Sequence, residues 1–264
     1  MKNAKAKITA VIIASNAEGT IADCVRALGF CADVIVGVNG STDKTVALAR
    51  LAGARVVAVK WDGYARTKNA LLDKVRDGWI FSVDADEVVG PQLAAAIQAA
   101  VASPQVLAGY WVSRRNYFLG HCIAHSGWSP DWQLRLFRAG NGRFSDRQVH
   151  EALQVEGATG KLAGTLDHFT YATVSDYLQR LNRYTSLAAQ DRLAKGRRVS
   201  RWRLVFDPFW TFLKMYVIKS GWRDGFPGMA LAALSALNTL VKHAKHWEWE
   251  QDGTTALLKK SRNF

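Results

Sequence analysis

Residues 79–88 read WIFSVDADEV, an apolar run that ends in three carboxylates, Asp84, Asp86 and Glu87, with only Ala85 between the aspartates. Carboxylates this close repel one another, so each charged form is disfavoured unless something offsets the repulsion. On a strand, residues i and i+2 share a face, so Asp84 and Asp86 are expected to converge on one point. Paired carboxylates at a strand end suit a hard divalent cation, Mg2+ or Mn2+. The chemistry that matches is a nucleoside diphosphate, whose phosphates such a metal bridges and whose charge it stabilises on departure. A solvated acidic turn is the alternative reading, and the surrounding elements decide between them.

Those elements alternate strand and helix through the first hundred residues. ITAVIIAS (8–15) is a short, β-branched apolar run suited to a strand buried on both faces, and DVIVGVN (33–39), ARVVAV and WIFSVD read as the second, third and fourth strands. TIADCVRALGF, GSTDKTVALARLAG, YARTKNALLDKVRDG and PQLAAAIQAAVAS carry helical spacing between them, the third expected to run to Gly78 and the last to have Pro91 in its first turn. This pattern predicts an α/β fold: a mostly parallel sheet with helices on both faces. Ligands of such sheets sit beyond the carboxyl ends of the strands, so the loops after residues 15, 39 and 84 are expected to line one crevice. After about residue 108 the texture shifts to short strand-like pieces, then to a long helix expected to be capped by Ser175 and stopped by Gly196. Two domains are expected: 1–172, and a helical region 173–264.

The order strand–SNAEG, strand–NGSTDKT, YARTKNA, strand–DADE resembles the family 2 glycosyltransferases with the GT-A fold, which transfer a sugar from a nucleotide-sugar donor with inversion. RRNYFLGHCIAHSGWSPDWQLRLFR, GRFSDRQVHEALQVEG and the final aromatic stretch are similar to the branch that adds hexose to the lipopolysaccharide inner core, the β-1,4-glucosyltransferase type. The likeness covers roughly residues 7 to 250.

That resemblance implies roles residue by residue. Asp84 would lie near the donor ribose and metal, and Asp86 would bind the metal. Glu18 falls where the family contacts the nucleotide, while Asp43, Lys68 and Asn69 match positions lining the donor pocket. Asn39 departs from the usual Asp that accepts the uracil N3–H, although its side-chain oxygen can accept the same bond. Asp131 matches the catalytic carboxylate, the base that takes the acceptor hydroxyl proton. Its neighbours Trp128 and Trp132 suggest an apolar setting that would raise its pKa. Gln133 and Arg135 follow at strand spacing and could reach the diphosphate. In VHE, His150 resembles the histidine some GT-A enzymes supply to the metal, and Glu151 is the runner-up base. The implied reaction moves a hexose, glucose by analogy, from a UDP-sugar to a heptose of a glycolipid acceptor. Transfer onto polyprenyl phosphate or protein, or a non-catalytic membrane adaptor on a GT-A scaffold, are the alternatives.

Charge is uneven along the chain. Residues 1–175 carry 19 basic and 15 acidic side chains, and residues 176–264 carry 16 and 7, within a total of +13. The second part therefore suits an anionic partner. Its aromatics, interleaved with Arg197, Arg198, Arg203, Lys214 and Lys219, suit a helix lying in an anionic membrane surface. Packing on the catalytic domain or in a homo-oligomer is the competing use. Nucleic acid is not the expected partner, because the stretch is too apolar and carries no helix-turn-helix or zinc spacing. Cys24, Cys31 and Cys122 form no C-x-x-C pair and read as reduced thiols. The seven-residue apolar run Ile8 to Ala14 reads as a strand, not a signal sequence. The location expected is the cytoplasm, peripheral on the inner face of the cytoplasmic membrane.

Overall fold

The computed structural model describes residues 7–104, 107–145, 152–198 and 200–251. In chain order the elements are β1 (Ile8–Ala14), α1 (Ile21–Ala27), β2 (Asp33–Val38), α2 (Thr45–Leu51), β3 (Arg55–Ala58), α3 (Tyr64–Leu72), β4 (Trp79–Asp84), β5 (Glu87–Val89) and α4 (Pro91–Ala102). There follow β6 (Gly109–Phe118), β7 (His121–Cys122), β8 (Asp131–Arg138), β9 (Gly142–Phe144), β10 (Leu153–Val155) and β11 (Thr159–Tyr171). Three long helices end the described chain: α5 (Val174–Ala194), α6 (Arg201–Leu213) and α7 (Gly225–Gln251). The chain forms two compact units, residues 1–115 with 130–169, and residues 116–129 with 170–264.

In the first unit the sheet order is β3-β2-β1-β4-β8-β6-β11-β5. The β3-β2-β1-β4 portion is parallel, as the apolar runs predict. Beyond β4 the sheet continues with antiparallel pairings, β4 with β8, β8 with β6, and β11 with β5. Alternate residues of β1 and β2 feed two cores. Ala10, Ile12, Val34 and Val36 pack with Ile21 and Val25 of α1 and Leu93 and Ile97 of α4. On the other face Val11, Ile35 and Ile80 pack with Leu71 and Leu72 of α3 and with Phe137 and Phe144. Helices therefore cover both faces. Gly37 makes room for α3: a Cβ there would lie 2.5 Å from Leu71 Cδ1, so any larger residue would force the Leu71 side chain to shift.

Two helix limits differ from the expectation. α3 stops at Leu72 rather than near Gly78, and Gly78, at φ +83, brings the chain against the Lys7 carbonyl, where any Cβ would collide. α5 is capped by Thr173, not Ser175. The Thr173 hydroxyl accepts from Asp176 N–H while the Asp176 carboxylate accepts from Thr173 N–H, a reciprocal capping box that satisfies two otherwise unpaired donors.

The second unit is built around Phe118, which meets Trp128, Tyr171 and Tyr177 edge-on and packs with Ile123, Leu181 and Leu231. α6 lies along α7, joined by Thr211–Thr239 and Asp207–His243 contacts. Among the described residues no helix is long and apolar enough to cross a membrane.

Candidate active site

β4 ends at Asp84, and residues 85 and 86 form a turn before β5 begins at Glu87. The i, i+2 rule therefore does not hold across Ala85, and Asp84 and Asp86 have different partners. Asp84 Oδ1 accepts from Lys68 Nζ (2.9 Å) and Oδ2 from Arg135 Nη2 (2.7 Å). Asp86 lies 3.5 Å from His168 Nε2. The repulsion within DADE is thus offset inside the protein, by cations brought from α3, β8 and β6.

Glu87 is the hub. It is fully buried, its Oε2 accepts the Asp84 N–H (2.8 Å), and its Oε1 accepts from Arg135 (2.6 Å) and Arg114 (3.4 Å). Arg114 in turn donates through Nε to Asp131 Oδ2 (2.7 Å), and Gln133 donates to Asp131 Oδ1 (2.6 Å). The chain Asp84–Arg135–Glu87–Arg114–Asp131 is continuous. Burial alone would raise the Asp84 pKa, but Arg135 and Lys68 outweigh it and hold the carboxyl well below the usual range. Glu87 moves the other way: burial, helped by the Asp84 charge, pushes it up against the pull of Arg135. Burial disfavours the Arg135 cation, yet Asp84 and Glu87 together raise its pKa. Beneath the turn the Cys24 thiol, pushed well up by burial and then by Glu87, donates to the Asp84 carbonyl (3.5 Å).

A cleft of about 270 Å³ is walled by Lys68, Asp84, Arg114, Gln133, Arg135 and Trp111, with Phe144 beside them. Lys68 is buried rather than solvated, its ammonium 5.0 Å from the Phe144 ring centroid. Asn69 has a different task from the expected one. Its amide donates to the Phe144 carbonyl and accepts the Phe144 N–H, both at 2.9 Å, so it fixes the aromatic wall instead of presenting its own polar atoms. Asp131 does not have the apolar setting expected for it, since a guanidinium and an amide hold both oxygens.

The loops after β1 and β2 clasp each other. Glu18 N–H donates to Asp43 (3.0 Å), and Lys44 N–H donates back to Glu18 (3.0 Å). Asp43 also accepts from the Thr45 hydroxyl (2.6 Å), which, with backbone N–H donors, lowers its pKa. Glu18 and Asp43 thereby tie the two loops together. Asn39, half-buried at the end of β2, accepts from Ser15 through its carbonyl (3.2 Å), and its side-chain amide makes no hydrogen bond among the described residues. His150 and Glu151 lie outside the described residues.

Three cations, Lys68, Arg114 and Arg135, and one carboxylate, Asp84, line the cleft, while Glu87 and Asp131 pair with the arginines from outside its lining. Among the described residues no group of three or more His, Cys, Asp or Glu is arranged as a metal cage. Mg2+ and Mn2+ are commonly held by one or two carboxylates plus substrate phosphates and water, and Asp86, whose described partner is a histidine at 3.5 Å, fits that use. Arg135 Nε, buried in the cleft wall, has no acceptor among the described residues.

Arg114, Glu87 and Phe144 were not expected at this site. The only signal for Arg114 was a pair of arginines inside an aromatic strand, and its meaning depends on the β6–β8 register, which sets Arg114 opposite Asp131.

The sequence model described as glycosyl transferase family 2 matches residues 9–162. The lipopolysaccharide core biosynthesis glycosyltransferase LpsC of Rhizobium meliloti is 31% identical over 251 residues, covering 92% of this chain and 93% of its own. An uncharacterized glycosyltransferase of Rickettsia typhi is 27% identical, covering 90% and 86%. Among solved structures, glucosyl-3-phosphoglycerate synthase from Mycobacterium tuberculosis, in complex with Mn2+, UDP and phosphoglyceric acid, aligns over 74% of this chain and 80% of its own. The identity there is 18% and the TM-score 0.45. The chain belongs to glycosyl transferase family 2 and is a glycosyltransferase.

Proposed function

We propose that this enzyme moves a hexose from a UDP-sugar to a heptose of the lipopolysaccharide inner core, with inversion at the anomeric carbon. The observation that carries the reading is the ion-pair chain that ties Asp131 to Asp84, the carboxylate lining a cleft with Lys68, Arg114 and Arg135. An inverting displacement needs a base on one side of the sugar and a site for the leaving diphosphate on the other, and a single rigid network fixes both. In this reading Asp131 takes the acceptor hydroxyl proton, the acceptor oxygen bonds to the anomeric carbon, and the sugar–phosphate bond breaks with its electron pair leaving on UDP. Lys68 and Arg135 face the departing diphosphate, and the free amide of Asn39 takes the uracil. Asp86 would hold a Mg2+ or Mn2+ ion that neutralises phosphate charge when bound.

Support for the acceptor comes from the Rhizobium meliloti relative, named for lipopolysaccharide core biosynthesis and aligned over almost the whole of both chains. A lipid-anchored acceptor puts the enzyme at the inner face of the cytoplasmic membrane. The test is calorimetric titration of UDP with and without Mn2+ into wild type and Asp86→Ala, then assay of UDP-sugars with core glycolipid, polyprenyl phosphate and protein acceptors. Metal-dependent UDP binding that Asp86→Ala abolishes, with transfer to core glycolipid, supports the reading. Transfer only to polyprenyl phosphate or protein replaces the acceptor, and absence of any nucleotide binding overturns the assignment.

A further inference from the structure

α6 has two faces of opposite character. Asp207 and Thr211 turn to α7, where Asp207 meets His243 Nε2 at 2.9 Å and Thr211 meets Thr239 at 3.3 Å. At 100° per residue, Trp202, Val205, Phe206, Phe209 and Trp210 cover an arc of roughly 140° centred opposite those contacts. All five are more than half exposed, Trp202 by 72%. Exposed apolar faces of this size mark interaction surfaces.

The charges around the face identify what covers it. Exposed Arg197 and Arg198 precede the helix, Arg203 borders the aromatic arc, and exposed Lys214, Lys219 and Arg223 follow. Asp207 is the only acidic residue between Arg197 and Arg223, and it is paired with His243. Val217, Ile218, Trp222 and Phe226 add further exposed apolar side chains beyond α6. A second copy of this chain would bring the same cations to meet these ones. An anionic surface with an apolar interior satisfies both features.

We propose that α6 docks on an anionic phospholipid bilayer, its aromatic face in the headgroup–acyl boundary and its cations on the lipid phosphates. The assignment does not depend on which sugar is transferred or on its acceptor.

The test is flotation of the full-length chain with vesicles of phosphatidylethanolamine and phosphatidylglycerol, against vesicles of phosphatidylcholine alone. The chain is wild type, a Trp202→Ser/Phe206→Ser/Phe209→Ser variant, or an Arg197→Glu/Arg198→Glu/Arg203→Glu variant. Wild type is expected to float with the anionic vesicles, and each variant to bind them at least about tenfold more weakly. The charge variant should lose nothing on phosphatidylcholine, and UDP binding by both variants serves as the folding control. No flotation of wild type, or equal flotation of all three chains, overturns the proposal. So does a dimer by light scattering that the serine variant converts to a monomer while vesicles bind neither, which would give the face to a second copy.

Discussion

Arg135 and Glu87 form an ion pair sealed from solvent, with Nη2 2.6 Å from Oε1 and the same nitrogen 2.7 Å from Asp84. Their side chains are 6% and 0% exposed. Removing one member of such a pair leaves a buried charge without compensation. Arg135→Met is therefore expected to destabilise the fold by about 3–5 kcal/mol. Glu87→Gln should cost less, about 1–3 kcal/mol, because it keeps one acceptor and Arg135 stays paired with Asp84. The double variant Arg135→Met/Glu87→Leu should recover part of the loss, since it removes both charges. Urea unfolding of the three variants checks the order, and a double variant worse than the sum of the singles would contradict it.

Asp131 is the group the ion-pair chain holds at its far end. Asp131→Asn keeps an acceptor for Gln133 but cannot take a proton. It is expected to lower kcat by about 10²- to 10⁴-fold and to leave UDP affinity close to wild type. Steady-state kinetics with calorimetry separates the two effects. A rise in KM with unchanged kcat would assign Asp131 to binding and point to Glu151 as the base.

Much of this arrangement is legible in the amino-acid sequence. The continuous apolar runs mark β1, β2 and β4, which are almost wholly buried, because a strand buried on both faces admits no polar alternation; β3, at the sheet edge, is exposed or half-buried throughout. The spacing of Asp131, Gln133 and Arg135 on one strand places two of them in the cleft wall with Asp84, and Gln133 on Asp131. What escapes a single sequence is whatever depends on partners far along the chain. Asn69 is a clamp only because Phe144, 75 positions away, presents its backbone there. Glu87 becomes a hub only through Arg135 and Arg114, 48 and 27 positions distant. The turn at 85–86 hid itself because DADE continues a strand on paper, while in the structure Asp86 pairs with His168 instead of converging with Asp84.

The clamp reading of Asn69 has its own test. If Asn69 only fixes Phe144, Asn69→Ala leaves a half-buried N–H and carbonyl without partners and costs about 1–3 kcal/mol, with a few-fold loss of UDP affinity through the displaced wall. If it touches the donor directly, affinity falls while stability holds. Urea unfolding and UDP titration on the same preparation tell the two apart.

His243 couples stability to pH in the second unit. It is buried on α7 between Arg192, whose Nη1 lies 3.0 Å from Nδ1, and Asp207, whose Oδ2 lies 2.9 Å from Nε2. A guanidinium only donates, so Nδ1 accepts and Nε2 carries the proton. Protonating Nδ1 would aim a second donor at Arg192. Burial, with the charges of Arg192 and Lys242, accordingly lowers the His243 pKa below its ordinary 6.5, against the pull of Asp207. A histidine with a depressed folded pKa binds its proton more readily in the unfolded chain. Its contribution is therefore intact above about pH 6.5 and is lost as pH falls below that value toward the folded pKa. Thermal unfolding between pH 8 and 5 should show a fall in Tm over that lower range. His243→Gln, which keeps an acceptor and a donor but does not titrate, should flatten the slope. An unchanged slope in His243→Gln would assign the pH dependence to another group.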